Sequence, residues 1–110
     1  MAHYMMRWMW KDSAITAMTE TPQDREAAAR QVVEAFGGKM SHYFFLLGEY
    51  DGLLIAEFPD NESAAAVSMR VSASGAFSRF ETHALMTAQE AQRSMQKVKS
   101  AVATYRAPTG

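Results

Sequence analysis

The five residues Gly48-Glu49-Tyr50-Asp51-Gly52 separate two apolar runs, Tyr43-Phe44-Phe45-Leu46-Leu47 and Leu53-Leu54-Ile55-Ala56. Asp51-Gly52 is a strong turn pair, because both residues tolerate positive φ. Two apolar runs joined by so short a reversal fold back on one another as an antiparallel hairpin. That hairpin, in the middle of the chain, is the fixed point around which the other elements are placed.

Upstream, His3–Trp10 alternates in polarity and reads as a first strand. Asp12 to Thr21 is polar and broken, with room for one short helical turn. Thr21-Pro22-Gln23-Asp24 reads as a helix start: Thr21 caps, Pro22 fits the first helical position, and Asp24 suits the positive end of the dipole. Ala28, Val32 and Phe36 then recur every four residues, and Gly37-Gly38 ends the helix. Lys39–Leu47 is the second strand and Gly52–Phe58 the third.

Downstream, Asp60 caps a helix running to about Ala73, and Ser74-Gly75 ends it. Phe77–Met86 is a fourth strand. Thr87-Ala88-Gln89-Glu90 is a capping box. It opens a last helix over about residues 88–105, with a narrow seam of Ala91, Met95, Val98, Val102 and Tyr105.

The order β-α-β-β-α-β with right-handed crossovers predicts an α+β, ferredoxin-like antiparallel sheet. Its spatial order is 4-1-3-2, with both main helices on one face. The chain of 110 residues reads as a single domain, with a core over residues 3–87 and an extra C-terminal helix. The other sheet face is left open. A homodimer pairing such faces is the simplest cover, and the terminal helix is the alternative.

The composition excludes several classes. A formal net charge of −1 argues against a nucleic-acid or anionic-membrane binder. The absence of cysteine removes disulfides, thiol nucleophiles and thiolate metal sites, and fits a cytoplasmic protein. No apolar stretch reaches membrane-span length, and the first residues lack the pattern of a signal peptide. The nine methionines suit irregular core gaps and soft ligand surfaces.

Gly48-Glu49-Tyr50-Asp51-Gly52 resembles the glycine–x–tyrosine–aspartate signature of the GYD domain family. Phe36-Gly37-Gly38-Lys39, Leu54-Ile55-Ala56-Glu57-Phe58-Pro59-Asp60 and Phe80-Glu81-Thr82-His83-Ala84-Leu85 resemble further parts of it, so that the similarity covers roughly residues 3–92. The resemblance implies a ferredoxin-like domain related to the dimeric α+β barrels. It implies no particular activity, because the family has none assigned. The first strand is richer in Met and Trp than the family pattern, and the terminal helix is longer.

Alternate strand residues face opposite sides of a sheet. His3, Met5, Arg7 and Met9 share one face of the first strand; Tyr4, Met6, Trp8 and Trp10 share the other. In the fourth strand Phe77, Arg79, Glu81, His83 and Leu85 fall together. Setting Arg7 opposite Arg79 would place like charges together, so the predicted register sets Arg7 opposite Glu81 and His83 opposite Met5. His42 and His83 are then about three strand spacings of roughly 4.8 Å apart, too far to share a metal within one subunit. No metal and no cofactor is expected.

Each candidate has a bland reading. Arg7–Glu81 is an ion pair, or an anion-binding arginine beside an acid–base group in Glu81 or His83. His83 is a hydrogen-bonded interior residue, or a proton carrier of near-neutral intrinsic pKa. Trp8 and Trp10 pack under the helices, or stack a planar ligand. Tyr50 and Asp51 build the turn, or contribute a hydroxyl and a carboxylate to a site. Phosphate-loop and serine-elbow patterns are absent. Two functions follow. One is a homodimeric binder of a small apolar or aromatic metabolite, with or without cofactor-free acid–base activity by His83, Glu81 or Tyr50. The other is a non-catalytic assembly module using the sheet face and the C-terminal helix.

Overall fold

A computed structural model describes residues 1–101 and 104–109 of the chain. The elements are β1 (Ala2–Trp10), α1 (Asp12–Glu20), α2 (Arg25–Ala35), β2 (Lys39–Phe45), β3 (Gly52–Phe58), α3 (Asn61–Ser72), β4 (Phe77–Leu85) and α4 (Ala88–Ser100). The four strands form one sheet in the order β2-β3-β1-β4, which read from the other edge is the expected 4-1-3-2. Every neighbouring pair is antiparallel, and the fold is of the ferredoxin-like α+β class.

The helix ends follow their caps, with one correction. Thr21 does not start α2; it closes α1, its N–H donating to the Ala17 carbonyl at 3.0 Å. α2 is capped instead by Asp24, whose Oδ1 accepts from the Ala27 amide at 3.0 Å. α1 runs for 9 residues rather than a single turn. None of its residues is fully buried; only Ala14 and Met18, four residues apart, pack against the core, a stripe too short to announce a helix of this length. At the end of α2, Gly37 takes a φ of +80°, the left-handed cap that glycine adopts without penalty. Asp60 caps α3 through the Ser63 amide at 2.7 Å, and the Thr87–Glu90 capping box closes in both directions. α4 ends at Ser100, short of the expected 105; Tyr105 lies outside the helix and Val102 outside the described residues.

The core lies between one face of the sheet and helices α2 and α3. It is built from Tyr4, Met6, Trp8 and Trp10 of β1, Leu54, Ala56 and Phe58 of β3, and Met40, Val33, Ala64 and Val67. The period-two burial of β1 and β3 is the alternation read from the sequence. Two irregularities re-aim side chains. In β4 the register shifts between Met9 and Trp10, pairing Trp10 with Phe77. The extra residue turns Phe77 onto the helix side, where it stacks on Trp10 at 6.3 Å, and not onto the Arg79 face expected for it. In β2 the shift between Met40 and His42 lets Met40 enter the core while His42 pairs with Ile55.

Candidate functional site

Because β1 alternates, it serves as the wall between two compartments. Its odd-numbered side chains line the open sheet face, and its even-numbered ones line the space under the helices.

On the open face the hairpin brings a group of polar side chains together. Asp51 fixes the hairpin to the end of β1: its N–H donates to the Trp8 carbonyl at 2.8 Å, and its Oδ2 accepts from the Trp10 amide at 2.8 Å. Its carbonyl accepts from the Leu46 amide at 2.8 Å, closing the reversal. Gly52 is buried against the Trp8 indole, and a Cβ there would lie 2.6 Å from the ring. Tyr50, thus placed, donates its hydroxyl to Glu81 Oε2 at 2.8 Å.

Glu81 is the hub. Its Oε1 accepts from Arg7 Nε at 2.8 Å and from His83 Nε2 at 3.0 Å, and its Oε2 lies 2.9 Å from Arg79 Nε. A carboxylate only accepts, so the proton of His83 in this contact is on Nε2. The Arg7 guanidinium lies over the Tyr50 ring, 4.1 Å from its centroid, and that of Arg79 lies 5.7 Å away. The hydrogen bond from Tyr50, with those from His83 and Arg7, outweighs desolvation and lowers the Glu81 carboxyl to about 2. The same bond holds the Tyr50 hydroxyl above its ordinary value. Glu81 is therefore an ionised anchor with both oxygens engaged, and not a proton carrier near neutrality.

On the other side lies an apolar cavity of about 160 Å³ between the sheet and the helices. Met6, Trp8, Trp10 and Leu54 form its floor, with Phe77 and Phe80 beside them and Ala28, Ala29 and Val32 of α2 above. Tyr43 and Arg25 also line it. Burial pushes the Tyr43 hydroxyl up to about 12, against an opposing effect of Arg25. The phenol is thus a standing hydrogen-bond donor. Trp8 Nε1 is buried without a partner, on the ring edge that abuts Gly52.

The register predicted from charge is the one observed, with Arg7 opposite Glu81 and His83 opposite Met5. Arg7, Tyr50, Glu81 and His83 come together on the open face. Trp8 and Trp10 are separated from them by the thickness of the sheet, and Asp51 spends its carboxylate on the β1 backbone. Arg79, Tyr43 and Arg25 were not among the sequence candidates. Arg79 was legible as a residue two positions before Glu81 on one strand face, whereas nothing local connects Arg25 to Tyr43. Among the described residues, no group of three His, Asp, Glu or Cys side chains is arranged to hold a metal. No helix among them is long and apolar enough to cross a membrane.

The GYD domain profile matches residues 4–95. No curated protein matches the chain in sequence. Several solved structures share its fold. One is the 5-chloro-2-hydroxyhydroquinone dehydrochlorinase TftG of Burkholderia phenoliruptrix, in complex with 2,5-dihydroxybenzoquinone. It is 11% identical, at a TM-score of 0.56 over 79% of this chain and 96% of that one. Another, protein Atu4242 of Agrobacterium tumefaciens, is 18% identical, at a TM-score of 0.51 over 81% and 95%. A third, At3g17210 of Arabidopsis thaliana, is 9% identical, at a TM-score of 0.50 over 79% and 95%. These neighbours are of the dimeric α+β barrel type. At such identities they speak for the fold alone.

Proposed function

The chain belongs to the GYD domain family, and on that premise we propose that it is a homodimer that binds a small, single-ring aromatic molecule in the cavity beneath α2 and α3. The cavity carries the proposal. Its volume of about 160 Å³ matches that of apolar cavities, about 150 Å³, that take up benzene. Aromatic walls with a few polar groups are the usual make-up of a ligand site. Tyr43 offers one donor to a ring hydroxyl or carbonyl, and Arg25 offers a cation. The six-membered ring bound by the dehydrochlorinase of the same fold is of this size class.

The lining supports binding more than catalysis. It contains no carboxylate and no imidazole, and its one phenol stays protonated. His83, Glu81 and Tyr50 face the other compartment, so acid–base chemistry by His83 would act on a molecule at the open face. The test uses Trp8 and Trp10, the only tryptophans in the chain, both of which line the cavity. Titration with phenol is expected to change their fluorescence saturably. Ala29→Leu, which fills the space from α2, is expected to weaken binding at least about tenfold at an unchanged unfolding midpoint. Equal binding by Ala29→Leu would overturn the assignment.

The dimer rests on the open face, where Met5, Met9, Leu53 and Ile55 are half-buried and Phe44 is 55% exposed. A second reading, assembly through α4, is favoured by one observation. In α4 only Glu90 and Ala91 are even partly buried, while Met95 and Val98 stand exposed. The molecule measures 60 × 34 × 23 Å, with a radius of gyration of 17.9 Å, against about 13 Å for a compact chain of this length. Truncation after Gln89 is expected to leave the sheet intact and shift the mass at micromolar concentration from dimer toward monomer, as read by light scattering. An unchanged mass assigns α4 no part in assembly.

A further inference from the structure

We propose that the molecule held in the cavity is an aromatic carboxylic acid bound as its anion, with the ring inside and the carboxylate at the mouth, between the Arg25 guanidinium and the Tyr43 hydroxyl. This rests on the cavity reading above and adds to it the charge of the ligand.

Three observations carry it. Arg25 lines two spaces at once: the apolar cavity, and an outer groove formed with Ile15, Met18, Pro22, Gln23 and Phe45. It therefore stands where the cavity meets the surface, and it is half-buried there. Its charge is also unspent. Of the three half-buried arginines, Arg7 is paired with Glu81 and Arg30 with Glu26, whereas Arg25 takes part in no ion pair among the described residues. The carboxylates beside it in sequence are engaged elsewhere: Asp24 Oδ1 accepts from the Ala27 amide at 3.0 Å, and Glu26 holds Arg30 at 2.9 Å. Arg25 Nη1 donates to Gln23 Oε1 at 2.8 Å, an exposed neutral acceptor for which a carboxylate is the stronger substitute. Finally, the polar side chains of the lining offer protons. Arg25 and the Trp8 indole are donors only, and burial keeps the Tyr43 phenol protonated. A carboxylate, which only accepts, complements this set.

Size and access fix the rest. A space of about 160 Å³ is filled by one ring, so a carboxylate one carbon removed falls at the mouth. There it keeps part of its hydration and avoids the full cost of burying a charge. The mouth lies on the helix side of the sheet, at the end of β1 where Trp10 meets Phe45. The dimer rests on the opposite face, and α4 leaves from the other end, where Leu85 pairs with His3. Arg25 thus belongs to neither surface used for assembly.

The test follows the tryptophan fluorescence of the full chain, at constant ionic strength, with phenylacetate, its neutral analogue 2-phenylethanol, and phenol. Phenylacetate is expected to bind at least about tenfold more tightly than 2-phenylethanol, the scale of a charge-assisted hydrogen bond. Arg25→Gln is expected to abolish that preference. Arg25→Lys, which keeps the charge and loses the fork, is expected to restore only part of it. Unfolding midpoints check that the variants remain folded, and the comparison of the two ligands on the unaltered chain needs no variant. Equal affinity for phenylacetate and 2-phenylethanol, with phenol still bound, overturns this inference and leaves the cavity reading standing. An undiminished preference in Arg25→Gln overturns it too. Phenylacetate binding that survives Ala29→Leu places the anion outside the cavity and does the same. Failure of all three ligands to bind overturns both readings.

Discussion

Trp8→Ala is expected to destabilise the protein by about 3–5 kcal/mol, the range for removing a large buried aromatic side chain. The indole is 3% exposed. It stacks on Phe80 at 5.9 Å and 8°, and meets Tyr43 at 5.5 Å and Trp10 at 5.9 Å. Its far edge rests on Gly52, where a Cβ would stand 2.6 Å away. Gly52→Ala is therefore expected to cost about 1–3 kcal/mol by the opposite mechanism, overpacking. The two effects share one contact and should not add. In the Trp8→Ala background the added methyl group meets empty space, so Gly52→Ala becomes nearly neutral there. Denaturant unfolding of the four proteins of the cycle measures this. Simple additivity would show that something other than the indole demands glycine.

Acid should weaken the protein through Glu81, and Glu81→Gln should remove that sensitivity. The carboxyl is lowered from an ordinary value of 4.5 to about 2. A lowered folded-state value means that the stabilisation is fully present above about 4.5 and is lost as pH falls through about 2. The groups that face the carboxyl are Arg7 from β1, Arg79 and His83 from β4, and Tyr50 from the hairpin. Glutamine keeps one acceptor and turns an amide donor toward the arginines. The variant should be the less stable at pH 7, and the gap should narrow between pH 4.5 and pH 2. Urea midpoints across that range test the sign. Parallel curves would show that ionisation of Glu81 contributes no net stability.

The topology was legible because its punctuation is local. Asp60 and the Thr87–Glu90 box each announce a helix start within a few residues; Asp51-Gly52 marks the start of β3, but neither residue takes the positive φ expected of it, which falls instead on Gly48 at +147°. The Arg7–Glu81 register was legible because a two-residue shift replaces a like-charge pair with Arg79 by an opposite-charge pair with Glu81. Other features depend on facts that a sequence window does not hold. α1 sets only Ala14 and Met18 against the core, and the threonine that looks like a start for α2 is already the end of α1. The one-residue bulge before Phe77 reverses its side without altering the apparent alternation of β4. Arg7, Trp8 and Trp10 fall on the faces of β1 that alternation assigns them, yet alternation alone does not choose between a Trp-lined and an Arg-lined compartment. Arg25 and Tyr43 meet only because α2 lies over β2.

The hairpin at residues 48–52 has no spare length. Surface loops commonly absorb insertions and deletions, but here three consecutive residues serve three different neighbours. Tyr50 reaches Glu81 on the open face, Asp51 holds the Trp10 amide, and Gly52 seats Trp8 at the cavity wall. Adding or removing one residue would detach at least one of them. The loop therefore acts as a rivet through both sides of the sheet, and variation in chain length is expected to collect instead at the projecting end of α4.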